Sequence, residues 1–365
     1  MISLSSFRPL LTITAATISS LTFTSLIDCS PSLFLWDRLH RDHAKGKDAG
    51  FYREKNVWII GASSGIGQEM ALQMAKAGCA NLILSARNKT RLEEVAEQCR
   101  KESASRCQCY CRPLDIVSKI GAEDLEERFQ DVLQNKMPNI PIDIVVFNSG
   151  AGQLQPALET PSKNIRQIMD VNALWPMIMT PLLFKYKIFR SLRGDTSDVP
   201  HIVVTNSIAS KLPVPLSAVY AASKAAQLQY FASLATEQTR DKLRVDMICP
   251  GPVETNFFTN SRGAKDETKM DDTSTGADSK TEEEKADEKK TTTAKSKTKI
   301  SVERCARLIL AAAARRTEKS YQEIWIAPSP LISVFYLQRL FPGLLQQLTT
   351  KFGQKRVQVR SILVQ

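Results

Sequence analysis

The sequence predicts an α/β fold in three layers, with a doubly wound parallel sheet covered by helices on both faces. Three observations carry that prediction. Short apolar runs recur without the in–out alternation of a half-exposed sheet, so they read as strands buried on both sides. Longer stretches of helical periodicity separate them, as the crossovers between parallel strands require. A glycine-rich turn lies directly between the first such strand and the first such helix.

The elements follow in order. "NVWIIG" (56–61) is an unbroken apolar run and reads as the first strand. "GQEMALQMAKAG" (67–78) has helical spacing and stops near Gly78, a helix-ending residue. "NLILSAR" (81–87) is the second strand, and "KTRLEEVAEQCRKE" (89–102) a helix with a charged outer face. "CQCYCRPLD" (107–115) supplies the third strand, followed by a helix over about 119–135 and the strand "IDIVVFN" (142–148). A long helical region, about 161–190, leads to the strand "HIVVTNS" (201–207). The helix over roughly 217–239 contains "SAVYAASKAAQ", and the strand "LRVDMICPG" (243–251) follows it. The helix "SVERCARLILAAAARR" (301–316) and the strand "YQEIWIA" (321–327) complete the pattern.

Three regions are expected: residues 1–50 as a hydrophobic anchor or targeting segment with its linker, 51–330 as the α/β domain, and 331–365 as an apolar tail. Residues 9–27 carry no charge and reach the roughly 20 residues that span a bilayer, but Thr and Ser dilute them. A signal anchor, a cleaved signal or transit peptide, and an amphipathic surface segment all stay open. Leu33, Phe34, Leu35 and Trp36 follow as an interfacial-looking group. Arg8 precedes the run, whereas Arg38, Arg41, Lys45, Lys47, Arg53 and Lys55 follow it, which points to a cytoplasmic α/β domain. Residues 260–300 have almost no large apolar side chain and are expected to form a disordered insertion. The tail, interrupted at Pro342 and Gly343, is read either as a membrane-surface segment or as a cap on the core.

Net charge is +11, yet residues 261–300 hold ten Lys/Arg and ten Asp/Glu, so the excess lies elsewhere. No dense basic stripe with aromatics, zinc-finger spacing or RNA-binding signature accompanies it, which argues against a nucleic-acid partner. Anionic lipid is the better use of the charge. The eight cysteines are scattered, as in a reducing compartment. Cys107, Cys109 and Cys111 would line one face of a regular strand. No second pair completes a zinc spacing, so no metal is expected. His40, His43 and His201 offer no triad.

"GASSGIG" after the first strand contains Gly61, Ser63, Ser64, Gly65, Ile66 and Gly67. Glycines there permit a sharp turn and the close approach of a phosphate to backbone N–H groups, with the helix dipole behind them. A Rossmann-type dinucleotide site is therefore expected, although the spacing is GxxxGxG and not GxGxxG. After the second strand, Ser85-Ala86-Arg87 lacks the carboxylate that would bind an NAD ribose, and Arg87 can pair with a 2′-phosphate. NADP(H) is thus favoured over NAD(H). Tyr220 and Lys224 are four apart on a helix and share a face, an arrangement suited to proton transfer.

Taken together, these residues resemble the short-chain dehydrogenase/reductase (SDR) family over about 54–260 and 301–330. The resemblance rests on Gly61, Gly65, Gly67, Asp115, Asn148, Asn172, Ser207, Tyr220 with Lys224, and "PGPVET" at 250–255. Thirteen residues from Ser207 to Tyr220 match the family spacing. "VWIIGASSGIG", "LILSAR", "VVTNSIAS", "ICPGPVETN" and "KFGQKRV" resemble a subgroup whose members carry an N-terminal hydrophobic segment and associate with the endoplasmic reticulum membrane. Departures are Ile60 for the usual Thr, Asn148-Ser149-Gly150-Ala151 for Asn-Asn-Ala-Gly, and Ser210 for Gly.

The resemblance implies hydride transfer between a nicotinamide and a carbonyl or secondary alcohol. It implies Tyr220 as general acid/base, Lys224 lowering the tyrosine's pKa and holding the nicotinamide ribose, and Ser207 on the substrate oxygen. It further implies Asn172 on a water linking Lys224 to solvent, Asp115 at the adenine and Thr255 at the carboxamide. Gly61, Ser63, Ser64, Gly65, Ile66, Gly67, Arg87, Asn148, Pro250, Gly251 and Val253 complete the expected cofactor site. The lid after Thr255 offers Phe257, Phe258 and the helix from about 301 as apolar surface, and the expected substrate is a lipophilic retinoid, steroid or lipid ketone. A membrane-associated scaffold with an idle nucleotide site is the alternative. The expected location is the endoplasmic reticulum membrane with a cytosolic catalytic domain; organelle import and homo-oligomerisation stay open.

Overall fold

The computed structural model of the protein describes residues 28–39, 49–104, 106–116, 122–194, 198–238, 242–257, 261, 299–315, 320–340, 343 and 350. A seven-stranded parallel sheet runs through it in the order β3-β2-β1-β4-β5-β6-β7. The strands are β1 (Asn56–Ile60), β2 (Asn81–Ser85), β3 (Gln108–Cys111), β4 (Ile144–Phe147), β5 (His201–Thr205), β6 (Arg244–Pro250) and β7 (Tyr321–Ile326). Besides a single turn at Ala49–Tyr52, the helices are α1 (Pro31–Leu39), α2 (Gly65–Lys76), α3 (Lys89–Glu102), α4 (Ala122–Asp131), α5 (Ser162–Met169), α6 (Trp175–Lys185), α7 (Ala218–Glu237), α8 (Val302–Ala314) and α9 (Leu331–Leu340).

Double burial explains the unbroken apolar strands. In β1, Val57 and Ile59 face the layer of α2, α3 and α8, while Trp58 and Ile60 face that of α4, α6 and α7. All four are at most 1% exposed. Strand order reverses between β1 and β4, which opens a crevice at the carboxyl ends of the strands.

The long helical region at 161–190 is not one helix. α5 passes through a π-helical turn, Asp170–Leu174, into α6. Pro181 lies inside α6 and cannot donate to the carbonyl of Met177. That carbonyl instead accepts from the Tyr230 hydroxyl on α7, 3.2 Å away. The proline's lost bond thus becomes a tie between neighbouring helices. Cys107, Cys109 and Cys111 all face the α2/α3/α8 layer, as strand alternation predicts, and Tyr110 faces the other. Among the described residues no group of three or more His, Cys, Asp or Glu side chains could hold a metal.

The N-terminal boundary departs from expectation. Residues 28–39, assigned from sequence to the linker, belong to the folded domain. Cys29 pairs antiparallel with Ile326, Ser30 N–H donates to the Trp325 carbonyl and Ala327 N–H to that of Asp28. Leu33 is fully buried in the core and Phe34 and Trp36 pack beside it, so these three serve the fold, while Leu35 stays exposed. Arg304 on α8 fastens the segment, donating to both oxygens of Asp28 (2.8 and 3.0 Å) and to Asp37 (2.6 Å). The first turns of the C-terminal tail cap the core, with Ile332 and Phe335 buried against Trp325. The insertion is narrower than 260–300: Ser261 is buried, and Ile300 pairs with Val253. Residues 1–27, 40–48, 262–298 and 351–365 lie outside the described residues, and with them the uncharged run, His40, His43 and most of the insertion.

Replacing Arg304 by Met leaves Asp37, only 4% exposed, facing Arg307 alone at 3.7 Å. Breaking a buried pair from one side costs about 3 kcal/mol or more. Arg304→Met is expected to speed limited proteolysis within residues 28–39 at least tenfold, read by mass spectrometry, while cleavage in the strands of the sheet stays unchanged.

Candidate active site

The crevice is built first by the glycine turn. Gly61 N–H and Ala62 N–H both donate to the Ser85 carbonyl at 2.7 and 3.2 Å, so the turn folds over the end of β2. Gly61 has φ +93°, and a Cβ there would sit 2.6 Å from Ser149 N. A Cβ on Gly67 would collide with the Gly61 carbonyl and the Asn148 amide. These glycines therefore let three backbone segments meet. Asn148 fixes the contact, its N–H donating to the Ile60 carbonyl and its Nδ2 to the Gly61 carbonyl, each at 2.9 Å. Gly65 lies against the Thr255 methyl, which brings the 250–255 loop to the same place.

The residues here fit a dinucleotide. Ser64 is the N-cap of α2, yet its side chain caps no N–H, which leaves the first-turn amides free of side-chain partners at the mouth of the crevice. Asn148 Oδ1 is buried and has no hydrogen-bond partner among the described residues. Ser63 is half-buried at the turn, and Ile66 directs its side chain into the core and offers the backbone alone. Pro250 ends β6, Gly251 packs against Ala327, and Val253 holds the loop through Ile300. Arg87 and Asp115 are exposed just beyond β2 and β3, and the Asp115 carbonyl accepts from Arg128. Ser85 is structural: its hydroxyl accepts from Trp58 Nε1 at 2.9 Å.

Reacting groups gather at the next strand ends. Tyr220, Ser223, Lys224, Gln227, Leu228 and Phe231 form the buried face of α7, so the i, i+4 pair lies on one side of the helix, toward the sheet. Ser207, just after β5, stands beside the Tyr220 hydroxyl, where its side chain favours the phenolate. The Lys224 ammonium donates to the Thr205 carbonyl (2.8 Å) and to Gln227 Oε1 (3.2 Å). Asn206 completes that cage, its Nδ2 donating to Gln227 Oε1 and to the Lys224 carbonyl. Asn172, in the π turn, spends its side chain on Ala151 N–H, the Ala151 carbonyl and the Ser223 hydroxyl. It braces the loop after β4 against α7. Phe257 faces the Tyr220 ring at 5.7 Å between centroids and packs over Gly150 and Gly152. Phe258 lies outside the described residues.

Electrostatics differ from expectation in one respect. Burial pushes the Tyr220 phenol up to about 12, and the Ser207 side chain only partly offsets it. Burial likewise pulls Lys224 down to about 7. The expected depression of Tyr220 by Lys224 is not found in the protein alone, where burial dominates and Ser207 is the group that lowers the phenol. Sequence reasoning also missed Asn206, Gln227 and Gln153. Gln227 was within reach, three residues from Lys224 on the same face; Asn206 and Gln153 carry no periodic signal.

The family profile for short chain dehydrogenases matches residues 55–266, which include the glycine turn, Asn172, Ser207, Tyr220, Lys224 and the 250–255 loop. The chain belongs to the short-chain dehydrogenase/reductase family. It is 33% identical over 304 residues to human (Homo sapiens) dehydrogenase/reductase SDR family member 7, covering 83% of this chain and 78% of that protein. It is 32% identical over 206 residues to 11-beta-hydroxysteroid dehydrogenase-like 3 of Arabidopsis thaliana, with 56% and 61% covered. An alcohol dehydrogenase of the archaeon Thermococcus sibiricus, solved with 5-hydroxy-NADP, shares the fold at TM-score 0.54 and 24% identity, with 76% and 97% covered. The chain is therefore an SDR oxidoreductase.

Lys224 yields a stability test. Its folded pKa, about 7, lies below the free value of about 10.4, so between them the unfolded chain binds more protons and stability rises with pH. Denaturant unfolding of cofactor-free protein from pH 7 to 8 is expected to show a gain approaching about 1 kcal/mol per pH unit. Lys224→Met is expected to lose that slope.

Proposed function

We propose that the protein is an NADP(H)-dependent oxidoreductase that interconverts lipophilic carbonyls and secondary alcohols, of steroid, retinoid or lipid-ketone type. The observation that carries the reading is the Ser207–Tyr220 hydroxyl pair, held on the buried face of α7 beside the glycine turn and the 250–255 loop. When bound, the nicotinamide supplies or takes up the hydride. Tyr220 delivers its hydroxyl proton to the substrate oxygen during reduction and receives one during oxidation. A phenol at about 12 keeps its proton at neutral pH, so the protein stands ready as the acid that reduction needs. Ser207 donates a hydrogen bond to the same oxygen as charge develops there. Lys224 holds the ribose and favours the phenolate when it is charged, and Asn172 keeps the loop beside them in place.

Arg87, exposed past the end of β2 where no carboxylate follows Ser85, supports a 2′-phosphate and hence NADP(H). Phe257 over Gly150 and Gly152 gives the substrate an apolar wall, which supports the lipophilic class. Among the described residues no helix is long and apolar enough to cross a membrane. Our reading nonetheless sets the catalytic domain on the cytosolic face of the endoplasmic reticulum, attached through residues 9–27, because that run is uncharged and basic residues follow it.

Purified full-length protein with retinal, steroid ketones and keto-lipids is expected to consume NADPH. Tyr220→Phe should lower that rate by about 100-fold or more while NADPH binding persists. Full turnover in Tyr220→Phe would sink the assignment. Arg87→Ala should weaken NADPH by roughly tenfold, the loss of one charge-assisted contact, and leave NADH within twofold. Fluorescence titration of both cofactors decides it, and an equal loss for the two would remove Arg87 from the site.

A further inference from the structure

We infer that Gln153 is a positioning residue for Tyr220, capping from a distant part of the chain the helix that carries the tyrosine. The inference rests on Tyr220 being the proton donor. The first amides of an α-helix lack partners within it and need an acceptor from outside. The N-cap of α7 is Ser217, a residue type that normally supplies that acceptor, yet its hydroxyl makes no cap bond. It donates to the Gln153 carbonyl instead, at 2.9 Å. Gln153 returns the contact: its Oε1 accepts from Val219 N–H at 2.8 Å and from Tyr220 N–H at 3.3 Å. The cap of the tyrosine helix therefore comes from the loop after β4.

Everything around Gln153 fixes that oxygen. The side chain is 1% exposed. Its Nε2 donates to Thr160 Oγ1 at 2.7 Å, and Thr160 donates onward to the Pro156 carbonyl. Gln155 N–H donates to the Leu216 carbonyl, and Leu216 adopts φ +66°, rare for a branched side chain. The chain accepts that conformation where it swings into α7. Gln153 also follows Ala151, which Asn172 holds, and Gly152, on which Phe257 packs. It therefore sets the phenol relative to the substrate wall.

Glutamine suits the place chemically. One neutral carbonyl serves two amides, and one NH2 group serves Thr160 Oγ1 and, at 3.5 Å, the Gln155 carbonyl. A carboxylate would keep the acceptor but set a buried negative charge near the phenol, which raises the phenol's pKa further.

The test compares Gln153→Met, similar in size but lacking the acceptor, with Gln153→Glu, in the full chain. Gln153→Met is expected to lower kcat for ketone reduction about tenfold, with KM and the NADPH Kd within twofold. Amide hydrogen exchange over residues 218–222 should accelerate while residues 228–235 stay protected. Gln153→Glu should retain that protection and move the basic limb of the pH–kcat profile to higher pH. Wild-type kcat and exchange in Gln153→Met would overturn the inference. So would equal losses of activity, cofactor affinity and protection along all of α7, which mark a general structural role. If Gln153→Met does not fold, Gln153→Leu, which lacks both the acceptor and the NH2 group, takes its place: a local rise in exchange over 218–222 with a several-fold loss of kcat supports the inference, and unchanged values defeat it. Exchange at 218–222 tests Gln153 even if Tyr220→Phe retains turnover, so the two failures separate.

Discussion

An ammonium taken out of water and set beneath a strand-end carbonyl is the constraint from which the rest of the site follows. Lys224 is 3% exposed and has no carboxylate among its partners. Isolated buried charge is costly, so the side chain must find oxygen dipoles or lose its proton. The Thr205 carbonyl and Gln227 Oε1 are those dipoles, and Asn206 holds both Gln227 and the helix backbone. One consequence is mechanical, because the same bonds pin α7 to the end of β5. Ser207 leaves β5 two residues after Thr205 and so meets the Tyr220 hydroxyl one helical turn from Lys224. Another is electrical: burial shifts both the phenol and the amine toward their neutral forms.

Much of this was legible in the sequence because it is periodic. Strands buried on both faces read as unbroken apolar runs, and Tyr220 and Lys224 show their common face through spacing alone. Gly61 and Gly67 mark places where backbone meets backbone, which no other residue type permits. What escaped depends on partners distant along the chain. Gln153 lies 67 residues from the tyrosine whose amide it accepts, and no local pattern marks it. The π turn at Asp170–Leu174 has no composition of its own. Pro181 reads as a helix breaker, and only the distant Tyr230 hydroxyl shows how the helix continues.

The N-terminal boundary was misplaced for a different reason. Apolar and aromatic residues look the same whether they await lipid or a protein core, and Leu33, Phe34 and Trp36 take the second course. The deciding information was charge. Arg304 is far away in sequence, yet its guanidinium matches Asp28 and Asp37 together, and that pairing docks the segment. Desolvation was the other quantity hidden from sequence: a tyrosine–lysine pair can be read from spacing, but the depth of its burial cannot.

The pairing of residues 28–30 with β7 reaches beyond the N-terminus. It occupies the carboxyl half of that outermost strand, where Trp325, Ile326 and Ala327 would otherwise present unmet N–H and C=O groups. An open strand of that kind is a template for a foreign chain. At the opposite margin β3 offers only four residues. Two copies of this sheet consequently cannot merge edge to edge along the full length of β7 into one continuous surface. Adventitious strand-by-strand growth is blocked along that half of the edge.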